Sequence, residues 1–310
     1  MSRNLATLIG FSAILQWSSI VGLLKKVSFD IGADLAVTFM YSISALILLV
    51  LFKIPDLKLL SRGYLIFATL LFVVYELCFS YAIALAQTAQ QAIEVSLVNY
   101  LWPSMTILFL ILFKELKFNI LVLCGLGISM SGIVLIQSGS GSFEWGTVLQ
   151  NLQANPVSYM LAFIGAALWS LYCVITKKYS NGHNPITLFF LAITAVLWLK
   201  MLLIGDLTPL ANMSFSTLGY LLILSTVTGL GYAVWNIGII QGNITVLVAL
   251  SYFSPIFSSV ISMFILQTAL TVNFWHGAVL VTAGSLLCWI STNWQLLKNK
   301  FFYMFNGKVL

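Results

Sequence analysis

Apolar stretches close to twenty residues long recur from one end of this chain to the other, and they leave it few folds to adopt. They cover about 5–24, 35–53, 63–85, 90–113, 118–137, 156–176, 185–205, 216–238, 243–267 and 273–295. Each is near the ~20 residues that a helix needs to cross a bilayer core. Membrane-crossing strands would instead show segments of about ten residues with alternating polarity, which is not the pattern. Only 7% of the 310 residues are charged, against 61% apolar, whereas a soluble domain covers itself with roughly 25% charged residues. A surface so poor in charge must face lipid. The expected fold is therefore an all-α polytopic membrane protein of ten transmembrane helices, with no soluble catalytic domain left over.

The chain also repeats itself. Shifted by 152 residues, Trp17-Ser18 falls on Trp169-Ser170, Lys25-Lys26 on Lys177-Lys178, Tyr100 on Tyr252, Pro103 on Pro255, Gly125 on Gly277 and Gly132 on Gly284. One offset serves five apolar stretches without a net gap. With an odd number of spans per copy, the second copy enters the bilayer from the opposite side. The two halves are then inverted repeats about an axis in the membrane plane, an arrangement found in many secondary transporters with a site at the midplane. The domains read as 1–137 for the first five-helix repeat, 138–155 for a linker opening on Ser138-Gly139-Ser140-Gly141-Ser142, and 156–295 for the second repeat. Asn155-Pro156 and Asn184-Pro185 look like N-caps followed by Pro in the first helical position. Residues 296–310 form a tail of mixed Lys and aromatics, either interfacial or unordered.

Charge sets the expected orientation. If the N-terminus is cytoplasmic, 11 of the 14 Lys and Arg fall on that side, leaving Lys25, Lys26 and Lys200 opposite. The positive-inside rule then places both termini in the cytoplasm. Lys25 and Lys26 are the outer counterparts of Lys177 and Lys178. The net charge of +6 is too dispersed for nucleic acid. Four isolated Cys without metal-ligand neighbours indicate neither a metal site nor a disulfide framework, and no cofactor is expected. The sequence is silent on oligomeric state.

Several mid-span residues invite a function. Pro103 and Pro255 each free the carbonyl four residues earlier, those of Asn99 and Ser251. The kinks either open a central cavity or serve packing against a neighbouring helix. Asn99, Trp102 and Thr106, and likewise Ser251, Ser254, Ser258 and Ser262, share one helix face each; small hydroxyls of this kind serve helix packing as readily as ligand contact. Glu76 lies deep in the third span with no cation at its depth. An intramembrane acid is a functional candidate, the alternative being a hydrogen-bonded neutral group. Glu94 sits near a helix start, where the dipole favours a carboxylate. Its role is structural as readily as functional. Trp145, Trp275, Trp294 and Tyr64 at span ends fit an interfacial belt. Trp17, Tyr75, Tyr81, Tyr100, Trp102, Trp169, Tyr172, Tyr232, Trp235 and Tyr252 stand mid-span, where a buried ring with a polar handle wants a partner. Such a lining suits flat ligands by stacking and an ammonium through cation–π attraction. No phosphate-binding loop is present. No mid-span base could activate a Ser nucleophile, so an enzyme is not expected. Nor does a ring of like charges mark a channel.

With these strings in view, the chain resembles the drug/metabolite transporter superfamily in its EamA-type branch. The resemblance rests on Trp17-Ser18, Tyr75-Glu76, Gln91-Ala92-Ile93-Glu94-Val95, Asn99-Tyr100-Leu101-Trp102-Pro103, Ser251-Tyr252-Phe253 with Pro255, and Gly284-Ser285-Leu286-Leu287-Cys288-Trp289. It covers residues 1 to about 295. It implies export of aromatic amino acids and related compounds across a bacterial inner membrane, by alternating access through a cavity between the halves. A broader exporter of apolar compounds is the second reading. On the first, mid-span aromatics (Trp17, Tyr81, Tyr100, Trp102, Trp169, Tyr172, Trp235 and Tyr252) stack on the substrate ring. Glu76 or a freed carbonyl meets its ammonium, Asn99 and Ser251 its carboxylate, and Pro103 and Pro255 act in gating.

Overall fold

The computed structural model describes residues 2–54, 56–114, 120–137, 145–179, 183–242, 250–251 and 253–305. Within them every regular element is helical. The first three are α1 (Arg3–Ile31), α2 (Ala33–Phe52) and α3 (Arg62–Ala84). They are followed by α4 (Ala89–Asn99), α5 (Trp102–Leu112), α6 (Ile120–Gln137) and α7 (Trp145–Ala154). Then come α8 (Pro156–Tyr179), α9 (Ile186–Ile204), α10 (Phe215–Gln241), α11 (Ser254–Leu266) and α12 (Val272–Phe305). Six helices among the described residues are long and apolar enough to cross a bilayer, beginning at Arg3, Ala33, Arg62, Pro156, Ile186 and Phe215. Large apolar side chains such as Val50, Ile66, Leu202 and Phe264 stay exposed, as a lipid-facing surface requires. The protein is an all-helical, multi-pass membrane protein.

Local chemistry explains the helix starts. Ser2, Ser61, Thr88 and Ser214 each accept from the backbone N–H three residues on, satisfying a donor that the helix leaves unpaired. Asn155 does the same for Ser158, and α8 opens on Pro156. At the seventh apolar stretch the helix begins one residue later than Asn184-Pro185 predicts: Pro185 is the cap, and Asn184 Oδ1 accepts from Ile186 N at 3.2 Å. Within the expected linker 138–155, residues 145–154 form the helix α7. Ser138–Ser142 lies outside the described residues. The last helix runs on to Phe305 rather than ending near 295, so most of the expected tail is helical.

The fourth and ninth stretches are broken, not merely kinked. Pro103 and Pro255 stand second in a new helix, where a missing N–H is harmless. Ahead of each the chain tightens to a three-residue bond, Leu101 N to Val98 O at 3.2 Å and Phe253 N to Leu250 O at 3.1 Å. The α-helical pattern then resumes with Met105 N to Leu101 O and Phe257 N to Phe253 O. Both bonds of the second break lie 152 residues beyond those of the first.

Helix packing follows the same offset. α1 packs along α10, α3 along α8, α2 against α9, and α6 against α12. Ser129 Oγ donates to Val281 O at 3.2 Å across the last pair, two positions 152 apart. Gly125 faces Gly284 there, and Gly132 faces Gly277. A Cβ on any of these four would sit within 2.4–2.6 Å of the opposing glycine's carbonyl oxygen. The backbones touch because no side chain intervenes.

Candidate functional site

Glu76 sits mid-way along α3, 3% exposed. A carboxyl buried among apolar side chains needs hydrogen bonds, and two tyrosines supply them. Tyr41 of α2 donates to Oε2 at 2.5 Å, and Tyr232 of α10 donates to Oε1. The Tyr41 hydroxyl is also hydrogen-bonded to Ser80 Oγ at 2.9 Å. Around this group the aromatic rings gather. Tyr232 lies 5.1 Å from Trp17, 5.5 Å from Phe190, 5.8 Å from Phe72 and 6.1 Å from Trp169, between ring centroids. Trp17 lies 5.2 Å from Trp235. Trp169 stacks on Tyr172 at 5.0 Å and touches Tyr75 at 4.7 Å, with Trp102 edge-on at 6.3 Å. The cluster thus draws on α1, α2, α3, α5, α8, α9 and α10.

Of the residues singled out from sequence, Trp17, Glu76, Trp102, Trp169, Tyr172 and Trp235 come together here. Asn99 borders them, its side chain lying near Tyr75. Its Oδ1, like Trp17 Nε1, is buried without a partner among the described residues. The Trp102 carbonyl, in the first turn of α5, accepts from Ser170 Oγ and Thr106 Oγ1, both at 2.8 Å. Tyr100 points elsewhere, into a satellite cluster with Ile93, Leu97 and Phe274, beside Ser258. Ser251 and Pro255 are buried, while Tyr252 lies outside the described residues. Ser262 of the hydroxyl stripe packs on α1, where a Cβ at Gly22 would meet its Cα at 3.0 Å. That is the packing alternative rather than a free face.

Tyr81 joins a different group. Its hydroxyl donates to Asp34 Oδ1 at 2.7 Å, and Lys200 Nζ reaches the same oxygen at 2.5 Å. Lys200 also lies 4.5 Å from the centre of the Tyr81 ring. This triad ties α2 and α3 to α9. At the same end Thr217 Oγ1 donates to Asp30 Oδ2 at 2.7 Å, and Asn155 Nδ2 donates to Leu85 O at 3.0 Å. Lys25 is not a free surface cation. It is 3% exposed and donates to Ala84 O at 3.0 Å and to Ala86 O, closing the end of α3.

Sequence reasoning passed over Tyr41, Gly231 and the Asp34–Lys200 pair. Tyr41 had a signal: a buried acid with no cation at its depth demands donors, and tyrosine is the donor an apolar span tolerates. Gly231 had none. A Cβ there would stand 2.7 Å from Trp17 Nε1, so its absence lets the indole lie on α10.

A bundle of membrane helices around one aromatic core, with an acid at its centre and helices broken at matched prolines, defines a membrane transporter. The chain belongs to the EamA-like transporter family, whose pattern residues 157–290 match. It is 42% identical over 294 residues to the aromatic amino acid exporter YddG of Escherichia coli (strain K12), covering 94% of this chain and 99% of that protein. The YddG of Salmonella typhimurium (strain 14028s / SGSC 2262) matches at the same identity and coverage. That of Ancylobacter novellus is 25% identical, over 84% of this chain and 88% of its own. A crystal structure 22% identical superposes with a TM-score of 0.65, over 94% of this chain and 99% of that one. At that identity the likeness carries the fold alone.

Proposed function

We propose that this transporter exports aromatic amino acids and related compounds from the cytoplasm, by alternating access between two inverted five-helix halves. The observation that carries the reading is a buried carboxyl ringed by aromatics that both halves supply. Rings stack on an aromatic side chain at about 0.5–1.5 kcal/mol per pair beyond area burial, and Glu76 matches the substrate's ammonium. Asn99, with its unpartnered buried Oδ1, stands next to the cluster and is suited to the polar end of the substrate; Ser251 and Tyr252 are proposed there on the repeat alone. The relatives' printed activity supports this substrate class.

The exchange of partners by offset, α1 with α10 against α3 with α8, supports the ten-span inverted repeat and the halves 1–137 and 156–295. Pro103 and Pro255 are then hinge points at the two matched breaks. The end carrying Asp34–Lys200, Asp30–Thr217 and Asn155–Leu85 is the outer one, with both termini cytoplasmic in a bacterial inner membrane. Asp34–Lys200 and Asp30–Thr217 are the ties between the proposed halves at this end. Across the opposite end Tyr64 reaches Thr176 at a long 3.4 Å.

The test is flux in reconstituted vesicles with labelled tryptophan and phenylalanine. Saturable flux, competed by unlabelled aromatic amino acids but not by leucine, is expected. Flux that apolar drugs compete as well as tryptophan does would favour a broad exporter instead.

A further inference from the structure

The two tyrosines on Glu76 are not equivalent. Tyr41 is 1% exposed, belongs to the same half as Glu76, and is pinned by a second hydrogen bond to Ser80. Tyr232 comes from the other half, is only partly buried, and has Glu76 as its one hydrogen-bond partner among the described residues. Its ring also touches Trp17, Phe72, Phe190 and Trp169. It therefore meets the acid and the stacking rings at once.

We propose that Tyr232 is a specificity-determining residue, its phenol holding the place on Glu76 that a substrate's ammonium takes. The inference rests on the reading of Glu76 as the ammonium's partner. Both a phenol O–H and an ammonium N–H donate to a carboxylate, so they compete for Oε1. An ammonium displaces the phenol because its bond carries full opposite charge in a water-poor site. A neutral or anionic ring compound cannot, and it meets a site whose acid stays capped. The phenol thus selects for amines, and Tyr41 holds the carboxyl in position while the exchange occurs.

The experiment compares binding of tryptophan, tryptamine and indole-3-propionate to purified wild type, Tyr232→Phe, Tyr41→Phe and Glu76→Gln. Tryptamine keeps the ammonium and lacks the carboxylate; indole-3-propionate lacks the ammonium. Tyr232→Phe keeps the ring and removes the competing donor. It should tighten tryptophan and tryptamine by roughly tenfold or more, the scale of one hydrogen bond to a charged group, and leave indole-3-propionate unchanged. In a Glu76→Gln background that gain should vanish. Tyr41→Phe should not tighten either amine. Equal change for all three ligands in Tyr232→Phe, no change, or the same gain in Tyr41→Phe would overturn the assignment. Thermal unfolding of each variant separates a misfolded protein from a changed site, and the Glu76→Gln pair carries the comparison if one single variant is unstable. Wild type that binds none of the three would instead refute the proposed function, and this inference with it.

Discussion

The crossing of α6 and α12 offers a sharp quantitative test. A methyl placed at Gly284 would lie 2.4 Å from Gly125 O, 2.4 Å from Ser129 Oγ and 2.6 Å from Ser129 N. Two of those atoms are backbone, so a rotamer change cannot clear them and the helices must part by about an ångström. A gap of that size forfeits a quarter to a half of each dispersion contact it opens, and overpacking of this kind costs about 1–3 kcal/mol. Losing the Ser129–Val281 bond adds roughly 1 kcal/mol. Against this, Gly→Ala in a helix returns about 1 kcal/mol of propensity. The net expectation for Gly284→Ala is a loss of about 1–3 kcal/mol. Gly127 supplies the control within α6, because a Cβ there meets nothing within 4 Å. Gly127→Ala should therefore be neutral or gain up to about 1 kcal/mol. Thermal or denaturant unfolding of the two variants in one detergent reads the difference directly. If Gly284→Ala is as stable as Gly127→Ala, the close backbone contact is not what holds this pair.

Other expectations follow from the site and its ends. Trp102→Ala should cut tryptophan flux several-fold with the fold retained, by loss of an edge-on ring beside Trp169; unchanged flux would remove it from the site. Lys25→Met strands two carbonyl acceptors of the α3 end, at about 1–3 kcal/mol for each one left unsatisfied, and a melting temperature equal to wild type would discount both bonds. The Asp34–Lys200 pair is more than a third exposed on both sides, so its worth in stability is no more than about 1 kcal/mol. Its expected effect is on opening. Lys200→Gln should lengthen the distance between spin labels on Leu85 and Leu203, and the swap Asp34→Lys with Lys200→Asp should restore it. Failure of the swap would deny the pair a role in closing that end. A Cys at Asp206 should react with an impermeant thiol reagent applied outside whole cells, and a Cys at Asp56 should not; the reverse pattern would invert the proposed topology.

Much of this architecture was already written along the chain. Hydropathy and the 152-residue offset point to membrane helices in two copies, because both are properties of residues read singly or at fixed spacing. The positions of Pro103 and Pro255 announce two interruptions for the same reason. Whether a proline kinks or breaks a helix depends on what satisfies the freed backbone groups. The tightened turns at Leu101 and Phe253 became visible only in the folded chain. The candidate site divided along the same line. Rings at helical spacing on one element, such as Trp169 and Tyr172, could be paired from sequence. The partners of Glu76 could not, since Tyr41 and Tyr232 reach it from helices whose rotation and crossing are set by packing across the whole bundle. Tyr81 shows the converse: a mid-span aromatic by pattern, drawn by Asp34 and Lys200 into a charged tie at one end. Sequence alone determined the lipid-facing surface, the repeat and the presence of one deep acid. The tertiary structure decided which side chains that acid meets, because a hydrogen bond between helices depends on ångström-scale placement that no local pattern encodes.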